Sequence, residues 1–200
     1  NEKMNLTAIT EPNDIILKHF VDSVTILDYI KKGANVIDVG TGAGFPGVPL
    51  AILREDIQIT LVDSLKKRVN FLNEVTNTLG LTQVESIHAR AEELAQSEDY
   101  RERYDIVTSR AVANMSTLLE YMIPFCKIDG VCICMKGSNV EEELKKSEKA
   151  ARILGGRLEK REEFFLSNQE NKRNIILVRK ITYTPKQYPR KQGKPAKEPI

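Results

Sequence analysis

Apolar positions along this chain fall into short unbroken runs separated by stretches of helical spacing. Val36, Ile37 and Val39 form the first run, which passes an acid and enters a string of glycines. A run of that length bounded by turn residues fits a strand buried in a parallel sheet. Gln58 to Val62 is a second run that stops at Asp63. The period then changes: Leu65, Val69, Leu72, Val75 and Leu79 mark one face of a helix that ends at Gly80. Val84 to His88 predicts a third strand, Ala91 to Leu94 opens a short helix, and Tyr104 to Thr108 predicts a fourth strand running out into Ser109-Arg110-Ala111-Val112. Val131 to Met135 reads as a fifth strand, and a helix from about Val140 to Leu154 closes at Gly155-Gly156. Two later strands lie near Glu163 to Leu166 and Arg173 to Ile181. Asp14 to Ile30 is amphipathic and predicts an N-terminal helical segment over about 13–31.

Strands that alternate with helices until the final pair specify an α/β fold: a mostly parallel seven-stranded sheet with helices on both faces. The last strand should be antiparallel, because the link between the final two strands is too short for a crossover helix. The 200 residues, 41% of them hydrophobic, read as a single domain over 1–200 with a substantial core. No apolar run approaches the roughly 18 residues needed to span a bilayer. With no signal peptide, the expected location is cytoplasmic, and the chain is read as a monomer. The absence of a leading Met implies that these residues begin inside a longer natural chain.

The candidate chemistry gathers where strands end. Residues 35–47 read Asn-Val-Ile-Asp-Val-Gly-Thr-Gly-Ala-Gly-Phe-Pro-Gly. Gly40, Gly42 and Gly44 lack a Cβ, so the backbone can take positive φ and approach a ligand closely. The spacing fits two cofactors. Asp38-x-Gly40-x-Gly42-x-Gly44 is an S-adenosylmethionine pattern; Gly42-x-Gly44-x-x-Gly47 is the dinucleotide fingerprint. A plain tight turn is the third reading of the same glycines. Three features favour the methyl donor. Asp38 stands where a carboxylate can receive the ammonium of a methionine moiety and would repel a pyrophosphate. Pro46 removes an N–H from the helix start that would cradle phosphate. Asp63, 25 positions after Asp38 and again at a strand end, is placed to accept hydrogen bonds from both hydroxyls of an adenosine ribose. Asp63 or Ser64 as the N-cap of the following helix is compatible with that role.

At the next strand end, a backbone N–H and a carboxylate around Ala91 and Glu92 could read an adenine edge, although a glutamate at a helix start also serves the helix dipole alone. Arg110 should face the crevice, since ligands collect outside the carboxyl ends of parallel strands. The alternative for Arg110 is a structural pair with a nearby acid. Cys126, Cys132 and Cys134 read as core residues, and the two histidines complete no metal cluster: His88 reads as structural and His19 as a surface or capping residue. A nicotinamide oxidoreductase would need a proton-transfer pair such as Tyr/Lys near the crevice, and no such spacing is found.

Charge changes the picture only at the carboxyl end. The formal total is +2, yet 182–200 holds Lys186, Arg190, Lys191, Lys194 and Lys197 against Glu198 alone, together with four of the eight prolines. That composition predicts an extended basic strap with no helix. Tyr183 and Tyr188 among the cations suit an RNA backbone with exposed bases, and a solvated tail fits the composition equally.

Taken in order, several segments resemble one family. They are Asn5 to Ile9, His19-Phe20-Val21-Asp22-Ser23, Asp38 through Gly47 with its Gly-Phe-Pro-Gly, Val62-Asp63-Ser64, Lys67-Arg68 with Phe71-Leu72, and Arg90-Ala91-Glu92. Ser109 to Ala113, Lys136-Gly137, and Tyr188-Pro189-Arg190 with Gly193 and Pro195 continue the match. The chain is similar to the glucose-inhibited division protein B family, the ribosomal small subunit methyltransferases G. That resemblance implies a Rossmann-like class I methyltransferase that moves a methyl group from S-adenosylmethionine to N7 of one guanosine in 16S ribosomal RNA, leaving S-adenosylhomocysteine. It implies cofactor contacts at Gly40, Phe45, Asp63, Ala91, Glu92 and Arg110, no metal, and 16S rRNA or the small ribosomal subunit as partner. Because guanine N7 carries a lone pair and no hydrogen, no residue is expected as general acid or base, and Arg110 is expected to act by positioning. Family members usually carry a further amino-terminal helical segment that is absent here.

Overall fold

The computed structural model describes residues 9, 11–110, 112–138, 140–167 and 170–200. Residues 5–8 and Ala111, which carry part of the resemblance, lie outside the described residues. The first helix, α1, covers 12–24 and is α-helical at Pro12–Ile15 and Asp22–Val24 with a π-helical stretch, Ile16–Val21, between them. The expected helical segment therefore exists, but it is wider-wound in the middle and closes with a separate 3-10 turn at Leu27–Tyr29. Strands and helices then alternate: β1 Asn35–Val39, α2 Gly47–Leu53, β2 Gln58–Asp63, α3 Lys66–Thr78, β3 Val84–His88, α4 Ala91–Leu94, β4 Tyr104–Arg110 and α5 Met115–Met122. The chain continues through β5 Cys126–Lys136, α6 Glu141–Ile153, β6 Gly156–Ser167 and β7 Glu170–Lys180 to a last short helix, α7 Lys194–Lys197.

The seven strands lie in the order β3-β2-β1-β4-β5-β7-β6. β1 pairs in parallel with β2 on one side and β4 on the other, so the chain reverses its direction of winding at that seam. In an open parallel sheet the crevice beyond the strand ends at such a seam is where ligands bind. β7 runs antiparallel to both β5 and β6, as the short link requires.

Strand side chains alternate between two apolar layers. On one face Ile37, Val39, Val107, Cys132, Cys134 and Ile176 pack under Leu118, Leu119 and Met122 of α5 and Leu144 of α6. On the other, Val36, Ile59, Leu61, Ile106 and Ile133 pack under Leu50 and Ala51 of α2 and Leu72 of α3. Burial on both sides is why these strands read as continuous apolar runs. All three cysteines are free and buried in this core. β6 is much longer than the sequence shows. It is an edge strand whose positions are mostly half-buried or exposed, so charged residues interrupt the apolar pattern. Among the described residues no helix is long and apolar enough to cross a membrane.

The carboxyl-terminal strap departs from expectation. It carries the helix α7, whose Pro195 falls in the first turn, where a missing N–H costs no hydrogen bond. It is also fastened to the domain: Arg101 donates to the carbonyls of Tyr188 (2.8 Å) and Thr184 (2.9 Å), and the guanidinium of Arg190 pairs with Glu120. Thr184 and Pro189 are buried, whereas Lys186, Lys191, Lys194 and Lys197 remain exposed.

Candidate active site

The loop from β1 to α2 is held against the end of β2 by its own backbone. Gly40 N–H and Thr41 N–H both donate to the Val62 carbonyl, at 2.9 and 3.0 Å, and Gly42 N–H donates to Oδ2 of Asp63 at 3.0 Å. Positive φ at Gly40 (70°) and Gly42 (62°) makes that path possible. A Cβ on Gly47 would overlap Leu61, so only glycine lets α2 begin directly over β2.

Asp38 sits elsewhere than expected. Its carboxylate is fully buried beneath the loop, where Oδ2 accepts from the Thr41 hydroxyl (2.6 Å) and Gly47 N–H (3.0 Å), and Oδ1 has no hydrogen-bond partner among the described residues. β1 directs Asp38 to the α2 side of the sheet, so it braces the loop instead of lining the cavity. Gly44 likewise turns inward: a Cβ there would lie 2.6 Å from Val48 and 2.9 Å from Leu72. Burial pushes the Asp38 carboxyl up to about 6 from an ordinary 3.8, against the opposing pull of Thr41 and Gly47. The folded state therefore holds that proton more tightly than the unfolded chain, so this group lowers stability as pH rises through the interval from 3.8 to about 6. The effect is about 3 kcal/mol at most. Asp38→Asn should remove it. The variant's melting temperature should gain on the parent's between about pH 4 and 7; a constant difference across that range would refute the assignment.

Beyond the loop lie two joined cavities of about 470 Å³ each, which share Gly40, Arg68 and Arg110. One runs between the ends of β2 and β3. Asp63, Ser64, Ala91 and Glu92 line it, with Val39, Val112 and Tyr121 as apolar wall and Ala196 of α7 also in its lining. Asp63 is buried, its Oδ1 accepting from Leu65 N–H (2.9 Å) and its Oδ2 from Gly42 N–H and, at 3.3 Å, Arg68. A carboxylate has roughly four lone-pair sites. Two are taken by short backbone bonds and a third by a long contact to a half-buried arginine, so room remains for ligand hydroxyls if Arg68 swings out. Glu92 is buried, with Oε1 accepting from Gly193 N–H at 3.1 Å. The N-cap of α3 is Leu65, not Asp63 or Ser64 as the sequence suggested; Asp63 steadies the approach to the helix by accepting from Leu65 N–H, and it faces the cavity.

The other cavity is cationic. Among its described lining residues Lys18, Arg68, Arg110, Lys136 and Arg173 face a single acid, Asp22. Arg110 links the two cavities and is also paired with an acid, the alternative left open by the sequence: its Nη1 contacts Oδ2 of Asp22 at 3.2 Å and the Lys18 carbonyl at 3.1 Å. Its guanidinium lies 5.2 Å from the centre of the Phe45 ring, within cation–π range. Phe45 lines this cavity and stacks on His19, ring centres 4.8 Å apart and 16° between planes. His19 is therefore a wall of the site, not a surface or capping residue. Arg110 also approaches Nδ1 of His19 (3.3 Å), and burial together with Arg110 lowers the imidazole below its ordinary 6.5.

Lys18, His19, Asp22, Lys136 and Arg173 were missed as site residues. The π-helical stretch supplies the first two, and Asp22 is reached from Arg110 and from Arg173 (3.2 Å) across 88 and 151 positions of chain. The segments His19 to Ser23 and Lys136-Gly137, already noted for their resemblance, were the available signal. Lys136 holds the loop after β4 in place by donating to the Ala113 carbonyl at 2.6 Å and pairing with Glu143 at 2.8 Å.

Known proteins share this architecture. M. jannaschii TYW2, solved in complex with AdoMet, superposes with a TM-score of 0.65 at 15% identity, over 87% of this chain and 80% of that one. A SAM dependent methyltransferase from Aquifex aeolicus gives 0.62 at 18% identity, over 84% and 93%. These likenesses show the class I methyltransferase fold. Sequence relatives are much nearer. Ribosomal RNA small subunit methyltransferase G of Clostridium botulinum (strain Alaska E43 / Type E3) is 55% identical across 100% of this chain and 84% of its own length. Its namesake from Acetivibrio thermocellus is 52% identical across 100% and 83%. The sequence profile described as GidB, rRNA small subunit methyltransferase G, matches residues 1–176. With that match and more than half its residues shared along its whole length, the chain belongs to the rRNA small subunit methyltransferase G family.

Proposed function

We propose that this protein transfers a methyl group from S-adenosylmethionine to N7 of a guanosine in 16S ribosomal RNA, releasing S-adenosylhomocysteine. The observation that carries the reading is the pair of joined cavities: one flanked by the buried carboxylates of Asp63 at the end of β2 and Glu92 in α4, the other lined by cations. The first suits adenosine, with Asp63 for the ribose hydroxyls, Ala91 and Glu92 at the adenine edge, and Val39 and Val112 against its faces. Gly40 and Gly42 let the backbone lie against the methionine end, which Phe45 and Arg110 border. Asp38 contributes indirectly, by holding that loop in shape.

When bound, the donor supplies an electrophilic methyl group on a sulfonium sulfur. Attack by an N7 lone pair needs no base, so the protein's part is alignment and exclusion of water. Lys18, Lys136 and Arg173 attract the RNA backbone to the mouth of the second cavity. Arg68 sits at the border where both cavities open, and Ser64 lines the donor cavity beside it. Each chain contains both cavities, so we take the monomer as the working form, and the cytoplasm, where ribosomal RNA is available, as its location.

Titration calorimetry tests the donor assignment: S-adenosylmethionine should bind and nicotinamide dinucleotides should not, and the reverse result would revive the oxidoreductase reading of the glycines. The base-free mechanism is tested by pH. With His19 already held neutral above its lowered pKa, kcat should show no rising limb between about pH 6.5 and 9. A clear ionisation in that interval, abolished by His19→Gln, would contradict it.

A further inference from the structure

The carboxyl-terminal strap was expected to face RNA, yet its fastenings converge on the donor cavity. Glu120, on α5, has a fully buried carboxylate. It receives Arg190 through the backbone N–H (2.8 Å), Nε (2.9 Å) and Nη2 (2.6 Å). A buried ion pair adds little stability over an apolar pair of the same volume, but a forked guanidinium–carboxylate contact specifies one geometry. Tyr121, the next residue along α5, lines the donor cavity. Six residues after Arg190, Ala196 lines it as well. Between them the chain turns back at Gly193, with φ of 76°, and donates that N–H to Glu92. A second fastening on the same helix, from the Thr117 hydroxyl to the Pro195 carbonyl, is 2.9 Å long. A released strap would remove the Ala196 wall, leave Glu92 without its partner, and admit water beside the adenine edge.

We infer that the strap is the outer wall of the donor cavity, and that Glu120 and Arg190 are positioning residues that set donor affinity by holding it closed. This rests on the reading of the Asp63–Glu92 cavity as the donor site. Coupling is reciprocal, so a donor that needs the closed strap must also tighten it.

The test compares Arg190→Ala, Arg190→Lys and Thr117→Val with the parent. It measures S-adenosylmethionine affinity by calorimetry, kcat and KM for the donor, and amide hydrogen exchange over 188–197. Arg190→Ala leaves a buried carboxylate without its cation, with the backbone N–H at 190 as its remaining partner from the strap, and can fail to fold; Thr117→Val loosens the same wall with no buried charge. Both should speed exchange in the strap, and Arg190→Ala should raise the donor Kd and KM about fivefold or more with a smaller fall in kcat, a contrast that separates uniform binding from transition-state effects. Arg190→Lys should recover part of the loss. Adding S-adenosylhomocysteine to the parent should slow exchange in the strap. Faster strap exchange with unchanged donor affinity, or lower RNA affinity alone, would overturn the inference. A parent that fails to bind the donor at all would instead remove the site reading on which it stands.

Discussion

Asp63→Ala is expected to weaken S-adenosylmethionine binding by at least about tenfold. Hydrogen bonds to an ionised acceptor contribute roughly 1.5–3 kcal/mol each in a partly buried site, and two ribose hydroxyls are the assigned donors. The substitution also strips Gly42 N–H and Leu65 N–H of their acceptor, loosening the glycine loop and the start of α3 together. Both effects act on the same cavity and in the same direction. Asp63→Asn is the milder change: its one amide oxygen can still accept from either Gly42 N–H or Leu65 N–H, while its NH₂ can accept from neither the other N–H nor a hydroxyl; its affinity should fall between parent and alanine variant. If calorimetry finds the alanine variant binding like the parent, the ribose assignment is wrong.

Arg110→Ala should lower the single-turnover rate of methyl transfer by roughly a hundredfold, the scale on which misplacement of about 1 Å is felt. Arg110 is the side chain common to both cavities that also fixes α1, through Asp22 and the Lys18 carbonyl, and lies over Phe45. Its loss therefore disturbs donor and acceptor together. The fold should survive, since Asp22 keeps Arg173 as a partner at 3.2 Å. Circular dichroism and a melting curve like the parent's would establish that the loss is catalytic. A folded variant within a few-fold of the parent's rate would confine Arg110 to a structural role.

The parts of this molecule legible in the sequence are those that repeat or end abruptly. The inner parallel strands declared themselves because burial on both faces keeps their runs mainly apolar, and Asp38, Asp63 and Arg110 stood out as charges at the ends of such runs. What stayed hidden depends on distance in the chain. Asp22 meets Arg110 and Arg173 across the fold, and no periodicity around His19 reveals that its ring stacks on Phe45. Asp38 stands at the expected strand end, but strand alternation points it under α2, where it braces the loop. The strap misled for a related reason. Its composition is that of an exposed basic tail, but composition is blind to a single buried partner, and Glu120, 70 positions earlier, takes the guanidinium of Arg190. The amphipathic stretch predicted the helix but not its π-helical winding over Ile16–Val21.

The central claim meets its most direct test in one experiment. The protein is incubated with methyl-labelled S-adenosylmethionine and 16S ribosomal RNA, free or in small subunits, from cells lacking it, and the label is then mapped by nucleotide and by atom. The account predicts stoichiometric label at N7 of a single guanosine, lost with Arg110→Ala. Label on another atom, on another class of RNA or on protein, or no transfer by a protein that binds the donor, would contradict it.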